Sequence, residues 1–186
     1  LINLALRSLL VQTHDRNILI DTGWGNKQDA QFFSHLHLNG GDGLEEGLKK
    51  AGLSFHDITD VVLTHLHADH CGGTIQLGED GKIYQPVFPN ATVWVSRDQW
   101  NWAVRSNPRE ADAFLHENIM PIQETGQLRL VTGPRAILPG LEVRIVNGHT
   151  VGQMFPLVHH EKGTIVFAAD LIPSIAHIPT LFNMAY

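Results

Sequence analysis

Three histidines and one aspartate occur within six consecutive positions, 65 to 70, at the end of an apolar run. His65 and His67 are two residues apart, so both side chains point the same way if the segment is extended. Asp69 and His70 follow, just before two glycines that allow a tight turn. Imidazole and carboxylate ligands together suit zinc and other transition ions, and they disfavour calcium and magnesium. The spacing predicts a metal site in which His65 and His67 share one ion and Asp69 and His70 lie beside a second.

A second histidine pair provides an internal comparison. His35 and His37 have the same spacing, but no carboxylate or third histidine follows them, and we expect a surface or lid role for this pair. The chain contains 12 histidines, and the H-x-H-x-D-H pattern arises by chance in such a composition roughly a few times in a thousand. The cluster at 65–70 therefore favours metal binding over chance.

Local patterns predict the elements that position this cluster. Two apolar runs joined by a polar turn at residues 14–17 predict a hairpin. Residues 24–42 form a long connection, a candidate lid or pocket wall. Residues 42–53 have helical spacing, with acids first and lysines last. Residues 57–65 are apolar on both faces, which is typical of a buried strand.

The remaining elements mix strands and helices in an order that predicts an α/β layered domain. Residues 91–96 predict a strand, and Ser96 with Gln99 forms a capping-box signature that opens a helix. A second helix is predicted from Pro108 to Ile119. Beyond it the pattern predicts strands at 127–131, 141–148, 154–160 and 164–170, with a polar turn at 159–163.

These motifs resemble the signature of the metallo-β-lactamase-fold hydrolases. The early Asp21-Thr22-Gly23 is similar to the D-T-G of that family, the segment GHTVGQ at 148–153 resembles its G-H-T/S-x-G element, and the run ending at Asp170 resembles the strand that delivers a bridging aspartate. Together with H-x-H-x-D-H, the four ordered motifs look most like the branch that contains methyl parathion hydrolase and the quorum-quenching lactonases. The resemblance implies an αβ/βα sandwich, with two mixed β-sheets flanked by helices, in a single domain over residues 1–186.

The resemblance also implies a dinuclear metal centre. The implied ligands are His65, His67 and His149 for the first ion, Asp69 and His70 for the second, and Asp170 as the bridge between them. Asp21 is implied to orient the strand ends or a ligand histidine from behind. Two zinc ions, with iron or manganese as alternatives, would lower the pKa of a shared water and polarise the substrate. No cysteine nucleophile is then needed, and we expect Cys71 to be a packing residue.

The implied reaction is hydrolysis of a small ester, lactone or organophosphate by a metal-bridging hydroxide. Asp69, Asp170 and His177 are the candidate catalytic residues. An aspartate at 170 resembles the glyoxalase II, lactonase and phosphotriesterase branches rather than the true β-lactamases. The alternatives are a thioester hydrolase of the glyoxalase II type, an iron-dependent redox or sulfur-metabolising protein of the same fold, and a non-catalytic zinc-stabilised domain.

Pocket residues are harder to predict than ligands. Trp24, Phe32 and Phe33 follow the D-T-G motif and are candidates for an apolar pocket wall, the alternative being aromatic residues of the core. His177 follows the bridging aspartate and is a candidate proton donor or substrate contact, the alternative being a structural histidine.

Composition limits the partners. The 186 residues are 43% hydrophobic, enough for the core of a single domain, and the net charge of −6 comes without the Lys/Arg stripe that nucleic acid requires. No segment approaches the roughly 18 uncharged apolar residues of a membrane span. We therefore expect a small-molecule substrate, no nucleic-acid partner and no membrane partner. The single cysteine fits a cytoplasmic location. The sequence leaves secretion and the oligomeric state open, a dimer being one alternative.

The sequence departs from the pattern of that family after Asp170. The family's second metal normally receives one further histidine well beyond the bridging aspartate, whereas this chain ends at Tyr186. We expect a fragment truncated at both ends, which lacks a C-terminal strand and helices and leaves the second site incomplete. The alternative is that His177 supplies the missing ligand.

Overall fold

The computed structural model describes residues 4–40 and 43–182. Gly41 and Asp42, at the end of the predicted lid segment and the start of the predicted helix, lie outside these ranges. The strands are β1 (Leu9–Gln12), β2 (Asn17–Ile20), β3 (Asp60–Val62), β4 (Ile75–Leu77), β5 (Tyr84–Pro86), β6 (Thr92–Ser96), β7 (Leu128–Val131), β8 (Arg135–Leu138), β9 (Leu141–Val146), β10 (Gln153–His160) and β11 (Gly163–Val166). The α-helices are α1 (Ala30–Ser34), α2 (Gly43–Lys50), α3 (Ala68–Cys71), α4 (Arg97–Ala103) and α5 (His116–Glu124).

The first sheet has the strand order β1-β2-β3-β6-β7. Strands β1 and β2 form the predicted antiparallel hairpin, in which Leu9 lies opposite Ile20. Strands β2, β3, β6 and β7 are parallel, and β3 is buried between β2 and β6 as predicted. The carboxyl ends of four parallel strands therefore meet at one edge of the sheet, where open α/β sheets bind their ligands.

The second sheet has the order β11-β10-β9-β8. All of its pairings within the described residues are antiparallel, whereas we expected a mixed sheet. The reason is that short turns connect these strands, and a turn reverses the chain where a parallel pairing would need a long crossover. Strands β4 and β5 form a small separate hairpin that the sequence analysis missed.

The first sheet separates two apolar cores. Leu19 and Val61 face one core together with side chains from the helices, while Ile18, Ile20 and Val62 face the other core and pack against the second sheet. The alternation follows from the two-residue period of a strand, which sends successive side chains to opposite faces. The described residues thus form three layers: helices, then the first sheet, then the second sheet. This order matches one half of the predicted sandwich.

The helix predicted from Pro108 to Ile119 is wrong. The Asn107 side chain caps a helix-like turn by accepting the backbone N–H groups of Arg109 (2.9 Å) and Glu110 (3.1 Å). This turn continues only as a 3₁₀ helix at Ala111–Ala113, because the backbone becomes extended at Phe114 and Leu115. Helix α5 begins only at His116 and continues through Pro121 to Glu124.

The predicted cap of α4 is confirmed, because the Ser96 hydroxyl accepts the Gln99 N–H at 3.2 Å. His159 and His160 end β10 rather than forming the predicted turn, although both are exposed. Across residues 4–40 and 43–182, no helix has the length and apolar character needed to cross a membrane.

Candidate metal centre

The histidine cluster lies at the carboxyl edge of the first sheet. His65 and His67 follow β3, and α3 then carries Asp69 and His70. His149 comes from the loop between β9 and β10, so the second sheet contributes to the same place. These side chains converge because the parallel strands all end at this edge.

The first group of possible metal ligands is His65, His67 and His149. Their ligand atoms lie within 4.8 Å of one another, and all three side chains are buried. Nε2 of His149 lies 2.9 Å from Nδ1 of His67. Three imidazoles this close match the ligand type and number of a zinc site.

The second group consists of His65, His70 and Asp170, whose ligand atoms also lie within 4.8 Å of one another. Oδ1 of Asp170 lies 3.3 Å from Nε2 of His70, and Oδ2 lies 3.6 Å from Nε2 of His149. The Asp170 carboxylate therefore lies between the two groups. Asp69 is beside the second group rather than within it, with Oδ2 at 3.5 Å from Nε2 of His70.

Asp170 reaches this position from a turn and not from a strand end. Strand β11 ends at Val166, and Asp170 lies in a 3₁₀ turn at Ala169–Leu171. Ala169 has a φ of 43°, a left-handed conformation that is uncommon for residues other than glycine. Such strained backbone concentrates at functional sites, which agrees with a functional role for the neighbouring carboxylate.

Hydrogen bonds from outside the cluster orient the imidazole rings. Nδ1 of His70 lies 2.8 Å from Oδ2 of Asp21, and Nδ1 of His65 lies 3.0 Å from the Thr64 hydroxyl, which donates to the same carboxylate oxygen at 2.8 Å. With both Nδ1 atoms held outward, Nε2 of both rings faces the centre, where a metal ion would take the place of a proton on it. The position of Asp21 agrees with the orienting role that the resemblance implies.

His67 is oriented in the opposite sense. Its Nε2 lies 3.1 Å from Oε1 of Glu110, so its Nδ1 faces the centre. Glu110 is buried, and it also accepts hydrogen bonds from Trp102 Nε1 at 2.8 Å and from the Thr150 hydroxyl. Glu110 was not among the predicted site residues, since a single acid within a predicted helix carries no local signal of this contact.

A buried nitrogen tests whether the cluster fits a metal. Nε2 of His65 is buried and has no hydrogen-bond partner among residues 4–40 and 43–182. A buried polar atom without a partner costs about 1–3 kcal/mol. Because His65 belongs to both ligand groups, a metal ion would satisfy this atom, and the donor set fits the group that the family implies.

The electrostatics favour neutral imidazoles in the first group. Burial, followed by the neighbouring histidines, lowers the pKa of His65 well below its usual value. Burial and then His149 lower the pKa of His67 to about 4, despite its contact with Glu110. The contact between His67 and Glu110 is therefore a hydrogen bond rather than an ion pair at neutral pH. Neutral imidazole is the form that binds metals.

In the second group, His70 and the neighbouring carboxylates stabilise one another's charged forms. Burial disfavours the charged form of His70, but Asp21, Asp170 and Asp69 outweigh it and raise the pKa of His70 well above its usual value. Burial likewise opposes ionisation of Asp170, but the hydrogen bond and charge of His70 lower the pKa of that carboxyl. The pKa of Asp69 is raised, chiefly by burial.

The predicted pocket aromatics form a cluster of their own. The ring centroids of Trp24 and Phe32 are 5.7 Å apart, and those of Phe32 and Phe33 are 5.4 Å apart, both with edge-to-face geometry. All three are half-buried, and neither apolar core of the described residues includes them. They are therefore not core aromatics, and their role as a pocket wall stays a prediction.

Four other residues with predicted roles lie outside the two ligand groups of the described residues. His177 belongs to neither ligand group of the described residues, and its Nδ1 lies 2.8 Å from the Ser174 hydroxyl. His35 and His37 are exposed, in agreement with a surface role. Cys71 is fully buried in the helix-side core, which confirms it as a packing residue.

Comparisons with known proteins agree with this geometry. The sequence profile of the Metallo-beta-lactamase superfamily matches residues 7–185. An N-acyl homoserine lactonase of a Bacillus species is 25% identical over 181 residues, which cover 91% of this chain and 65% of the lactonase. The chain thus spans a little under two thirds of the length of this relative.

Solved structures share the fold. A probable metal-dependent hydrolase from Staphylococcus aureus superposes with a TM-score of 0.87 at 25% identity, covering 96% of this chain and 62% of that protein. AidC, a dizinc quorum-quenching lactonase, superposes with a TM-score of 0.70 at 25% identity, covering 89% and 56%. Since the family profile extends over nearly all of the sequence and the structures superpose over most of it, this chain belongs to the metallo-β-lactamase superfamily.

Proposed function

We propose that the protein is a dinuclear metal-dependent hydrolase that opens the ring of a small lactone. One observation carries the proposal: two groups of metal-ligating atoms share His65, and the Asp170 carboxylate lies between them. This arrangement can hold two ions side by side with Asp170 as a bridging ligand. The matching lactonases support a lactone as the substrate class.

Each side chain has a defined task in this proposal. His65, His67 and His149 would hold one zinc ion, and His70 with Asp170 would hold the second, with Asp69 close enough to complete it. Two zinc ions bound there supply a water of lowered pKa and polarise the substrate carbonyl. Both sheets contribute ligands, so the proposal treats residues 1–186 as one catalytic domain.

Asp69 is the candidate for moving a proton. Burial raises the pKa of its carboxyl, which brings it closer to the range in which a carboxyl group accepts and donates protons at neutral pH. Ring opening leaves an alkoxide that requires a proton, and Asp69 lies at the edge of the second group, beside His70. His177 stays a second candidate, to be compared with Asp69 by substitution.

The aromatic cluster supplies the apolar wall. Trp24 lies next to the backbone of the turn that follows Asp69 and His70, since a Cβ on Gly72 would collide with the Trp24 backbone. These three aromatic rings are half-buried and belong to neither core, so together they expose apolar surface to solvent. An exposed apolar patch is typical of a binding site. An apolar acyl substituent on the lactone matches this wall.

The test is a substrate panel measured with zinc-loaded protein. Ring opening of acyl homoserine lactones, followed by proton release, is expected to exceed hydrolysis of aryl esters, thioesters and phosphotriesters. Asp170→Asn should lose activity together with tight binding of one zinc equivalent, measured by elemental analysis, and His67→Ala should lose activity and the other equivalent. Asp69→Asn should lose turnover and bind the second zinc equivalent more weakly, while the first equivalent stays bound. A zinc-loaded protein that opens no lactone but hydrolyses another class would overturn the lactone substrate.

Metal binding can be tested without catalysis. A ligand present at a hundredfold excess over its Kd stabilises the folded state by about 2.7 kcal/mol. Chelation should therefore lower the Tm of the zinc-loaded protein, and added zinc should restore it. An unchanged Tm in both directions would contradict the metal centre.

A further inference from the structure

The segment at residues 24–28 lies directly on the turn at residues 72–75, which follows the proposed ligands Asp69 and His70. The N–H of Gly73 donates to the Gly23 carbonyl at 2.9 Å. A Cβ on Gly25, which has a φ of 68°, would lie 2.5 Å from the Gly72 carbonyl oxygen. Backbone therefore meets backbone here, with no room for an intervening side chain.

Lys27 reinforces this contact. Its amine donates to the carbonyl oxygens of Gly72 and of Ile75, the latter at 2.9 Å. The side chain is half-buried, and burial lowers the pKa of the amine to about 8. A lysine turned inward onto two carbonyls bears a desolvation penalty, so its contacts with the turn are its evident structural role.

The next residue provides a second attachment. Nε2 of Gln28 donates to Oδ1 of Asn118 at 2.9 Å, and Asn118 is fully buried in α5. Residues 27 and 28 thus attach the segment both to the turn after the proposed ligands and to a helix of the core.

The aromatic cluster is carried by the two ends of this attached segment. Trp24 is its first residue, and Asp29 follows it and caps α1 by accepting the Phe32 N–H at 2.8 Å. Trp24 and Phe32 touch each other across the segment. The distance from the aromatic rings to His70 is therefore set by how firmly residues 24–28 are held.

We propose that Lys27 is a positioning residue that holds the aromatic wall against the proposed metal centre and so determines the preference for long apolar acyl chains. It acts through the backbone of residues 72–75 and does not touch the substrate. The inference rests on the proposed lactonase function, but the attachment itself can be measured without any substrate.

The experiment compares Lys27→Met, which keeps the apolar stem and removes the donors, with Lys27→Arg, which keeps donors. Lys82→Met, at an exposed position of the β4–β5 hairpin, is the matched control. Each protein is loaded with zinc, and its zinc content, its amide hydrogen exchange and its kinetics on a short-chain and a long-chain acyl lactone are measured.

For Lys27→Met we expect full zinc content and amide exchange at residues 24–34 that is faster by about tenfold, since fewer contacts hold the segment. We expect KM for the long-chain lactone to rise about tenfold, the loss that follows when about two methylene groups leave an apolar wall. The value of kcat and the KM for the short-chain lactone should stay within about twofold. Lys27→Arg should recover most of the KM, and Lys82→Met should match the wild type.

Unchanged exchange at residues 24–34 in Lys27→Met overturns the attachment. An equal loss of kcat on both lactones, with loss of zinc, also overturns the proposal, because Lys27 would then act on the metal site and not on the wall. If Lys27→Met does not fold, Lys27→Arg and Gln28→Ala are compared by the same exchange measurement, and unchanged exchange in Gln28→Ala overturns the attachment. If the wild type opens no lactone, the lactonase function fails, while the exchange result still decides whether Lys27 holds the segment.

Discussion

The Asp21 carboxylate lies 2.8 Å from Nδ1 of His70, although the two residues are 49 positions apart in the sequence. Its other oxygen accepts the backbone N–H of Thr64 at 2.8 Å. Asp21 is buried and has a φ of 59°, a conformation that costs a non-glycine residue of order 1–3 kcal/mol. The carboxylate of this residue, whose backbone is strained, thus connects the end of β2, the end of β3 and a proposed metal ligand.

Asp21→Asn should therefore weaken the second metal site. The amide group keeps the shape but replaces one acceptor oxygen by a donor, so either His70 or Thr64 loses its partner. Losing such an orienting partner typically weakens metal affinity by about 10–100-fold. A competition titration with a chromophoric chelator measures the effect, and Asp15→Asn, at an exposed turn residue, is the control. Equal zinc affinity in both variants would contradict the orienting role.

Glu110→Gln should disturb the first site in a comparable way. Glu110 accepts hydrogen bonds from His67, Trp102 and Thr150, and an amide can accept with only one of its two polar atoms. We expect zinc affinity to fall by about 10–100-fold and the free energy of unfolding to fall by about 1–3 kcal/mol. Urea unfolding of the zinc-free protein separates these two effects, with Glu124→Gln at an exposed helix position as the reference. The role of Glu110 is refuted if both quantities stay at their wild-type values.

Cys71 should be unreactive in the folded protein. Burial raises the pKa of its thiol to about 12, the side chain is fully buried, and its Sγ lies 3.3 Å from the Leu66 carbonyl oxygen. Since the thiolate is the nucleophile, labelling by an aromatic disulfide reagent should follow unfolding and take place at the rate of exposure. Ser34→Cys in a Cys71→Ala background supplies an exposed thiol for comparison. Rapid stoichiometric labelling of native Cys71 would show that the site opens without unfolding.

Lys27 should make stability depend on pH in the alkaline range. Burial lowers the pKa of its amine from 10.5 to about 8, so between these values the unfolded chain binds more protons than the folded one. The free energy of unfolding should therefore rise with pH between about pH 8 and pH 10.5, by at most about 3 kcal/mol from Lys27. Below about pH 8 the buried amine is charged, and its full desolvation cost destabilises the folded state.

The measurement is urea unfolding of two zinc-free proteins, one with Lys27 and one with Lys27→Met, at about pH 7 and about pH 10. Both proteins carry Cys71→Ala, because the Lys27 charge lowers the pKa of the Cys71 thiol and that thiol would not cancel in the difference. Groups that do not interact with Lys27 do cancel. The protein with Lys27 should gain stability relative to Lys27→Met as the pH rises, and a constant or opposite difference would show that the amine is not desolvated.

Features that depend on local sequence were predicted correctly. The β1–β2 hairpin, the buried strand β3 and the Ser96 cap of α4 each arise from patterns within about ten residues, because periodicity, turn residues and caps act at short range. The helix predicted from Pro108 to Ile119 failed because the backbone is extended at Phe114 and Leu115, which ends the capped turn after Ala113. Phe114 is buried in the helix-side core, and a tertiary contact of this kind leaves no trace in apolar spacing.

The sequence by itself determined the types of the metal-ligating side chains, their order along the chain and the family to which they belong. Only the tertiary structure decided which nitrogen of each ring faces the centre: Nε2 for His65 and His70, and Nδ1 for His67. That choice depends on hydrogen-bond partners such as Asp21 and Glu110, which lie more than forty positions away and reach the site through the packing of separate elements. Spacing along a strand or helix describes neighbours within that element, and it contains no information about which distant carboxylate will be packed behind an imidazole.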